Sequence, residues 1–278
     1  MIDLHSHTNQ SDGTLSPEEL VAEAHRVGVR TLAITDHDTF AGYDEALPHA
    51  RNCGLELLCG IELSTKFNGQ STHLLGYFLE QPNQPHHQQA LADLRVWILE
   101  MQASRRERNV RLVARLQSLG LDVTLPEAEA RGRGMTGRPH FARILMEKGY
   151  VNTIQQAFDD YLGETASAYV DRYEPSFTEA VKRIRDAGGI ASIAHPVRLK
   201  GDLAAALPQL CAAGMNALEA YHSDHSQSDT ERFLRLAAEY GLRVTGGSDF
   251  HGSVKPGIQL GTGRGNVRVP ADLLERLR

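Results

Sequence analysis

The chain has little cysteine: Cys53, Cys59 and Cys211 are the only three in 278 residues, too irregularly spaced for a disulfide framework or a paired-cysteine zinc site. They are expected as packed free thiols. No run approaches the roughly 20 apolar residues of a membrane-spanning helix. The opening MIDLHSHTNQ lacks the basic and apolar regions of a secretory leader, so a soluble, cytoplasmic protein with no membrane role is expected. Low-complexity and linker-like segments are also missing. A formal net charge of -6 removes the broad basic surface that sequence-blind binding of long duplex nucleic acid requires. At 41% hydrophobic residues the chain can still bury one large core.

Histidine, by contrast, is abundant, with 13 in the chain, and it is the commonest side-chain ligand for transition metals. Around these histidines the sequence alternates short apolar runs with helical patterns. Strands are expected at residues 1–5, 31–35, 55–63, 72–78, 189–194, 217–221 and 242–246. Helices are expected between them at 43–52, 177–187, 203–213 and 228–240. Another helix opens at Ser16-Pro17-Glu18-Glu19, where Ser16 can cap, Pro17 fits the first position and Glu19 can close a capping box; Gly28 ends it. The repeated unit predicts a parallel α/β barrel.

From residue 85 to residue 170 the rhythm changes to long helical segments, chiefly 88–119. The expected organisation is therefore a barrel built from residues 1–84 and 171–278, with a helical substrate-binding lobe, 85–170, inserted. The rows from Met101 to Tyr150 hold ten Lys/Arg against five Asp/Glu. Many such charges simply solvate a helix face.

Barrel enzymes place their active sites at the C-terminal ends of the strands, and polar residues fall there repeatedly. His5 and His7 end the first expected strand, Asp36, His37 and Asp38 the second, and Glu62 the third. His73 lies at the fourth, His195 and His222 end the fifth and sixth, and Asp249 and His251 follow the seventh. Each alone would be an ordinary satisfied polar residue; together they read as a metal site. In extended backbone His5 and His7 project to one side, so both imidazoles can reach one ion, and Asp249 with His251 repeats that spacing. Imidazole and carboxylate without thiolate favour Zn²⁺, Mn²⁺ or Fe.

The motifs DLHSHT, SDG, TDHD, GIE, AHP and SDFH, in that order along nearly the whole chain, resemble the polymerase and histidinol phosphatase (PHP) family. The resemblance implies a distorted (β/α)7 barrel, similar to the amidohydrolases, with a trinuclear centre most often occupied by Mn²⁺. It implies that His5, His7 and Asp249 bind one ion, that Glu62 bridges to a second completed by His73 and His195, and that Asp12, His37 and His251 hold a third. Every position is filled. The helical insert and its GRPHFAR segment resemble the branch of 3',5'-nucleoside bisphosphate phosphatases and 5'-to-3' exoribonucleases acting on short RNA.

That branch implies hydrolysis of a phosphate monoester, by a hydroxide bridging two ions, on a small nucleotide or short oligonucleotide. Asp38 or His222 could protonate or orient the leaving oxygen, although Asp38 also reads as a partner fixing a histidine tautomer. A second anion site is expected from Arg138 and His140, with Arg198, His222 and the donors of Thr136. Alternatives are a histidinol-phosphate phosphatase, a C–N hydrolase of the amidohydrolase type, and a non-catalytic metal-binding module. No obligate protein partner is evident.

Overall fold

The computed structural model describes residues 1–79, 84–132 and 135–278. Its strands make one sheet in chain order: β1 (Ile2–Asp3), β2 (Thr31–Ile34), β3 (Glu56–Phe67), β4 (Gln70–Phe78), β5 (Ile190–Ile193), β6 (Ala217–His222) and β7 (Arg243–Gly247). The two edges come together. Leu4 N donates to Gly246 O at 3.1 Å, Asp249 N donates to His5 O at 2.8 Å, and Ser6 bridges Phe250. The result is a nearly closed, distorted barrel.

One strand runs against the expected all-parallel order: β4 is antiparallel to both β3 and β5. The cause is local. Asn68 and Gly69 form a two-residue turn with φ of 49° and 76°, the left-handed pair that a tight hairpin needs. A parallel return would need a crossover of about a dozen residues or more. Reversal places His73, near the beginning of β4, opposite Ser64 on β3. The start of β4 therefore lies at the rim where its neighbours end.

Helices α1 (Pro17–Val27) and α2 (Ala41–Cys53) fill the first crossovers. The capping box of α1 forms as the sequence dictates: Glu19 N donates to Ser16 Oγ at 3.2 Å and Ser16 N donates to Glu19 Oε2 at 2.7 Å. After β4 come α3 (Pro85–Ser118), α4 (Leu125–Gly132), α5 (Arg138–Glu147) and α6 (Ile154–Ala157). A π turn, Phe158–Leu162, continues α6. Then α7 (Phe177–Asp186), α8 (Leu203–Ala212) and α9 (Gln227–Glu239) alternate with the last strands, and α10 (Leu273–Leu277) closes the chain.

Two apolar cores share α3. Its first turns bury Leu94, Trp97, Ile98 and Met101 against Phe40, Phe78 and Ile184 of the barrel. Its last turns bury Leu112 and Leu116 against Phe141, Ile144, Leu145 and Leu162 of the insert. On the barrel side, Leu273, Leu274 and Leu277 of α10 join Ile2, Leu4, Leu58 and Tyr77. No described helix is long and apolar enough to cross a membrane.

Candidate metal centre

Glu62 organises the rim. Its Oε1 lies 2.8 Å from His73 Nδ1 and 3.0 Å from His195 Nε2. Its Oε2 lies 3.3 Å from His5 Nε2, 3.1 Å from His7 Nε2 and 3.4 Å from His37 Nδ1. Each oxygen thus faces a separate set of imidazoles, as a bridging carboxylate does. Asp249 Oδ1 adds to the His5 and His7 side at 3.6 and 3.5 Å. Asp12 meets His251 at 3.3 Å, His7 at 3.7 Å and His37 at 3.8 Å.

The hydrogen bonds fix which imidazole nitrogens point inward. His5 Nδ1 donates outward to Glu219 Oε1 at 2.8 Å, and His251 Nδ1 donates to the Asp249 carbonyl at 2.8 Å. Their Nε2 lone pairs consequently face carboxylates that also offer lone pairs. His7 Nε2 and His37 Nδ1 are buried and make no hydrogen bond. Burial opposes charge on His5, but Glu219, Glu62 and Asp249 raise its pKa well above the ordinary value; acceptors converging in this way draw a cation between them, a proton or a metal ion. Burial holds His7 and His195 neutral, each with its pKa lowered to about 3, the protonation state a metal ligand needs. Burial opposes ionisation of Glu62, but the surrounding His37, His73 and His5 hold its carboxyl well below the usual range.

Groups able to hold an ion are His7, Asp12, His37 and His251; His5, His222 and Asp249; His5, His7 and Glu62; and His37, Glu62 and His73. Eight of the nine residues expected as ligands fall in these groups, His195 joins them through Glu62 Oε1 at 3.0 Å, and His222 enters beside His5 and Asp249. Backbone strain accompanies it: Asp38, His195 and Asp249 have φ of 51°, 30° and 57°, in the region non-glycine residues rarely occupy.

Other expected residues behave differently. Asp38 accepts from Ser64 N at 2.7 Å, pairs with Arg105 and lies 3.6 Å from Arg172. Burial opposes its charge, yet those two arginines lower its pKa to about 2. An anion held this way anchors arginines and has no proton to give near neutrality. His222 is buried behind the cluster, its Nδ1 accepting from Asp224 N at 3.0 Å and its Nε2 3.3 Å from Asp249 Oδ2. It does not line the cavity in front of the cluster, and it stands with His5 and Asp249 in a group able to hold an ion.

His140 is also turned inward: its Nδ1 accepts from Gly137 N at 3.0 Å, capping α5. Thr136 gives its carbonyl to Asn109 Nδ2 at 2.8 Å and its hydroxyl to Ala128 O at 3.5 Å. Both residues secure the loop that starts α5 and lie outside the lining of the main cavity. Arg138 and Arg198 do line it. Arg138 donates to Leu162 O at 3.3 Å, and Arg198 Nη2 donates to Asp249 Oδ2 at 3.1 Å while also pairing with Asp224.

This cavity, of about 630 Å³, runs from the cluster to a basic wall of Arg105, Arg108 and Arg172 that sequence reasoning overlooked. Arg105 Nε, Arg108 Nε and Arg172 Nη1 are buried without a partner. Burial and the neighbouring Arg105, Arg138 and Arg172 push the Arg108 pKa well below its ordinary value. Arg105 and Arg172 are each paired through another nitrogen, with Asp38 and with Glu174, so the wall keeps spare buried N–H donors and, at Arg108, a charge that an anion would satisfy. Two further residues were missed. Glu219 holds His5 and accepts from His195 N at 2.6 Å, and Lys255 places Nζ 2.8 Å from Asp249 Oδ2 at the cavity wall. A glutamate in the apolar run LEAYH was the available signal for Glu219.

A rim of converging lone pairs opposite a wall of arginines with spare N–H donors suits an anionic ester, and the protein is a metal-dependent phosphatase or phosphodiesterase. The chain belongs to the PHP domain family, whose model matches residues 3–243. A 5'-3' exoribonuclease of Haemophilus influenzae is 36% identical over 252 residues, covering 90% of this chain and 89% of that protein. A 3',5'-nucleoside bisphosphate phosphatase of Chromobacterium violaceum is 33% identical over 267 residues, covering 94% and 90%. A solved structure from the same organism, described as an amidohydrolase with bound sulfate, superposes with a TM-score of 0.84 at 32% identity, covering 99% of this chain and 96% of the other.

Proposed function

We propose that the chain removes the 3'-phosphate of a 3',5'-nucleoside bisphosphate, and that the same site takes short RNA from its 5' end. The observation that supports this most directly is one cavity lined at once by cluster residues such as Glu62, His195 and Asp249 and by Arg105, Arg108 and Arg172. A small substrate carrying two phosphates meets both demands. The names of the two curated relatives point the same way.

Three divalent ions are proposed, Mn²⁺ first and Zn²⁺ or Fe as alternatives. His5, His7, Glu62 and Asp249 would hold one; Glu62, His73 and His195 a second; and Asp12, His37 and His251 a third, with His7 in reach. Bound there, divalent cations activate water and neutralise charge on phosphoryl oxygens. The protein's own groups orient the ester. Arg105, Arg108 and Arg172 grip the second phosphate through paired N–H donors. Lys255, facing the cavity beside Asp249, is placed to protonate or hold the leaving oxygen.

Histidinol phosphate would bring an ammonium group toward these arginines, and a neutral amide would leave them unpaired. Both fit less well. The test is a phosphate-release screen with Mn²⁺ over nucleoside bisphosphates, mononucleotides, histidinol phosphate and short 5'-phosphorylated RNA. The highest kcat/KM is expected for a 3',5'-bisphosphate; preference for histidinol phosphate overturns the reading.

A further inference from the structure

The main cavity continues into a side groove of about 310 Å³. We propose that this groove binds the 3' continuation of an oligonucleotide whose first nucleotide occupies the main cavity. The inference rests on the substrate reading above and extends it from one nucleotide to a chain.

Ser71, Arg138, Phe158 and Arg198 line both spaces, so the two are continuous. The groove leaves from the side of the cluster. Ser71 precedes His73 by two residues on β4, and Arg198 bonds the cluster residue Asp249 at 3.1 Å. Arg105, Arg108 and Arg172 line the main cavity and not the groove.

Reaction chemistry fixes what must lie there. In a 3',5'-bisphosphate and in a 5'-phosphorylated RNA the same bond breaks, from phosphorus to the 3' oxygen of the first nucleotide. Water's oxygen joins phosphorus and the 3' oxygen takes a proton. The substrates differ only in what else phosphorus carries: nothing, or the next nucleoside through its 5' oxygen. With the 5' phosphate on the arginines and the scissile phosphate at the cluster, that next nucleoside must pass beyond the cluster, where the groove opens.

The lining suits such a strand. Phe158 offers a half-buried ring for stacking a base, a sequence-tolerant contact. Arg198 and Lys200 supply positive charge for the following phosphates. Lys200 is exposed, and its Nζ lies 3.6 Å from Glu164 Oε2. It belongs to the groove and not to the main cavity.

The test compares Lys200→Glu with wild type, both full length and loaded with Mn²⁺, on a 5'-phosphorylated trinucleotide and on adenosine 3',5'-bisphosphate. Losing one charged phosphate contact and gaining a repulsive one is expected to lower kcat/KM for the trinucleotide about tenfold or more, with the bisphosphate held within about twofold. Lys200→Arg should retain both activities. Equal losses on both substrates, or none on either, overturn the groove assignment. Wild-type enzyme that hydrolyses aryl phosphate yet neither nucleotide overturns the substrate reading itself, and that result is visible before any variant is made.

Discussion

Glu219 Oε1 accepts from His5 Nδ1 at 2.8 Å across 214 residues of sequence, while its Oε2 accepts from the backbone of His195 at 2.6 Å. A single buried carboxylate therefore sets the imidazole tautomer of one cluster residue and the backbone position of another. Removing it in Glu219→Ala leaves both donors unpaired. Metal affinity is expected to fall about 10–100-fold, the usual effect of losing such a partner. Glu219→Gln keeps an acceptor for His5 and should recover part of the loss. Titration of Mn²⁺ against a competing chelator measures both; unchanged affinity in the alanine variant would show that packing alone orients His5.

Glu62→Ala should abolish turnover while the far-ultraviolet circular dichroism stays native. Metal analysis should show more than one ion per wild-type chain and fewer in the variant, because five imidazoles surround the two Glu62 oxygens. Chelation should lower the wild-type melting temperature, since ions bound only by the native state stabilise it. Full turnover in Glu62→Ala would sink the mechanism.

Arg108→Met is expected to separate stability from recognition. The substitution removes a buried, unpaired charge, so the ligand-free protein should melt at the same temperature or higher. A charged hydrogen bond contributes about 1.5–3 kcal/mol, so kcat/KM on a bisphosphate should drop roughly 10–100-fold. An aryl phosphate, which makes no use of the arginine wall, should change little. Arg138→Ala should follow the same pattern, and equal losses on both substrates would remove either residue from the second anion site.

The pairing of Asp38 with Arg105 and Arg172 also predicts a pH dependence. Its native pKa is depressed to about 2, below the unfolded value of about 3.9. Its contribution, about 2–3 kcal/mol, is thus fully present above about pH 4 and disappears as pH falls through about 2. Asp38→Asn should flatten that part of the acid-denaturation curve and destabilise the protein at neutral pH, where the arginines lose their counter-charge. An acid limb unchanged in the variant would contradict this.

The cluster was legible from sequence because its ligands sit at strand ends in short motifs, and chain order alone places strand ends together. Direction was harder. The Asn68-Gly69 pair that reverses β4 stood in the sequence, but the repeated α/β rhythm outweighed it. The arginine wall was illegible for another reason: Arg105 and Arg108 lie on a 34-residue helix whose apolar positions point into two different cores. Helical spacing cannot say which of many arginines turns inward. His140 and Thr136 show the converse, with polar groups near a site consumed by the backbone of their own loop.

Because α3 contributes Trp97 and Met101 to the barrel and Leu112 and Leu116 to the insert, the insert is not a detachable cassette. A chimera joined at residue 85 would strip the barrel of its own core side chains. Transplanting a relative's specificity would need a crossover inside α3, after Met101, and would carry Arg105 and Arg108 with it. The arginines proposed to grip the substrate and the side chains that pack α3 into both cores therefore sit on one continuous helix.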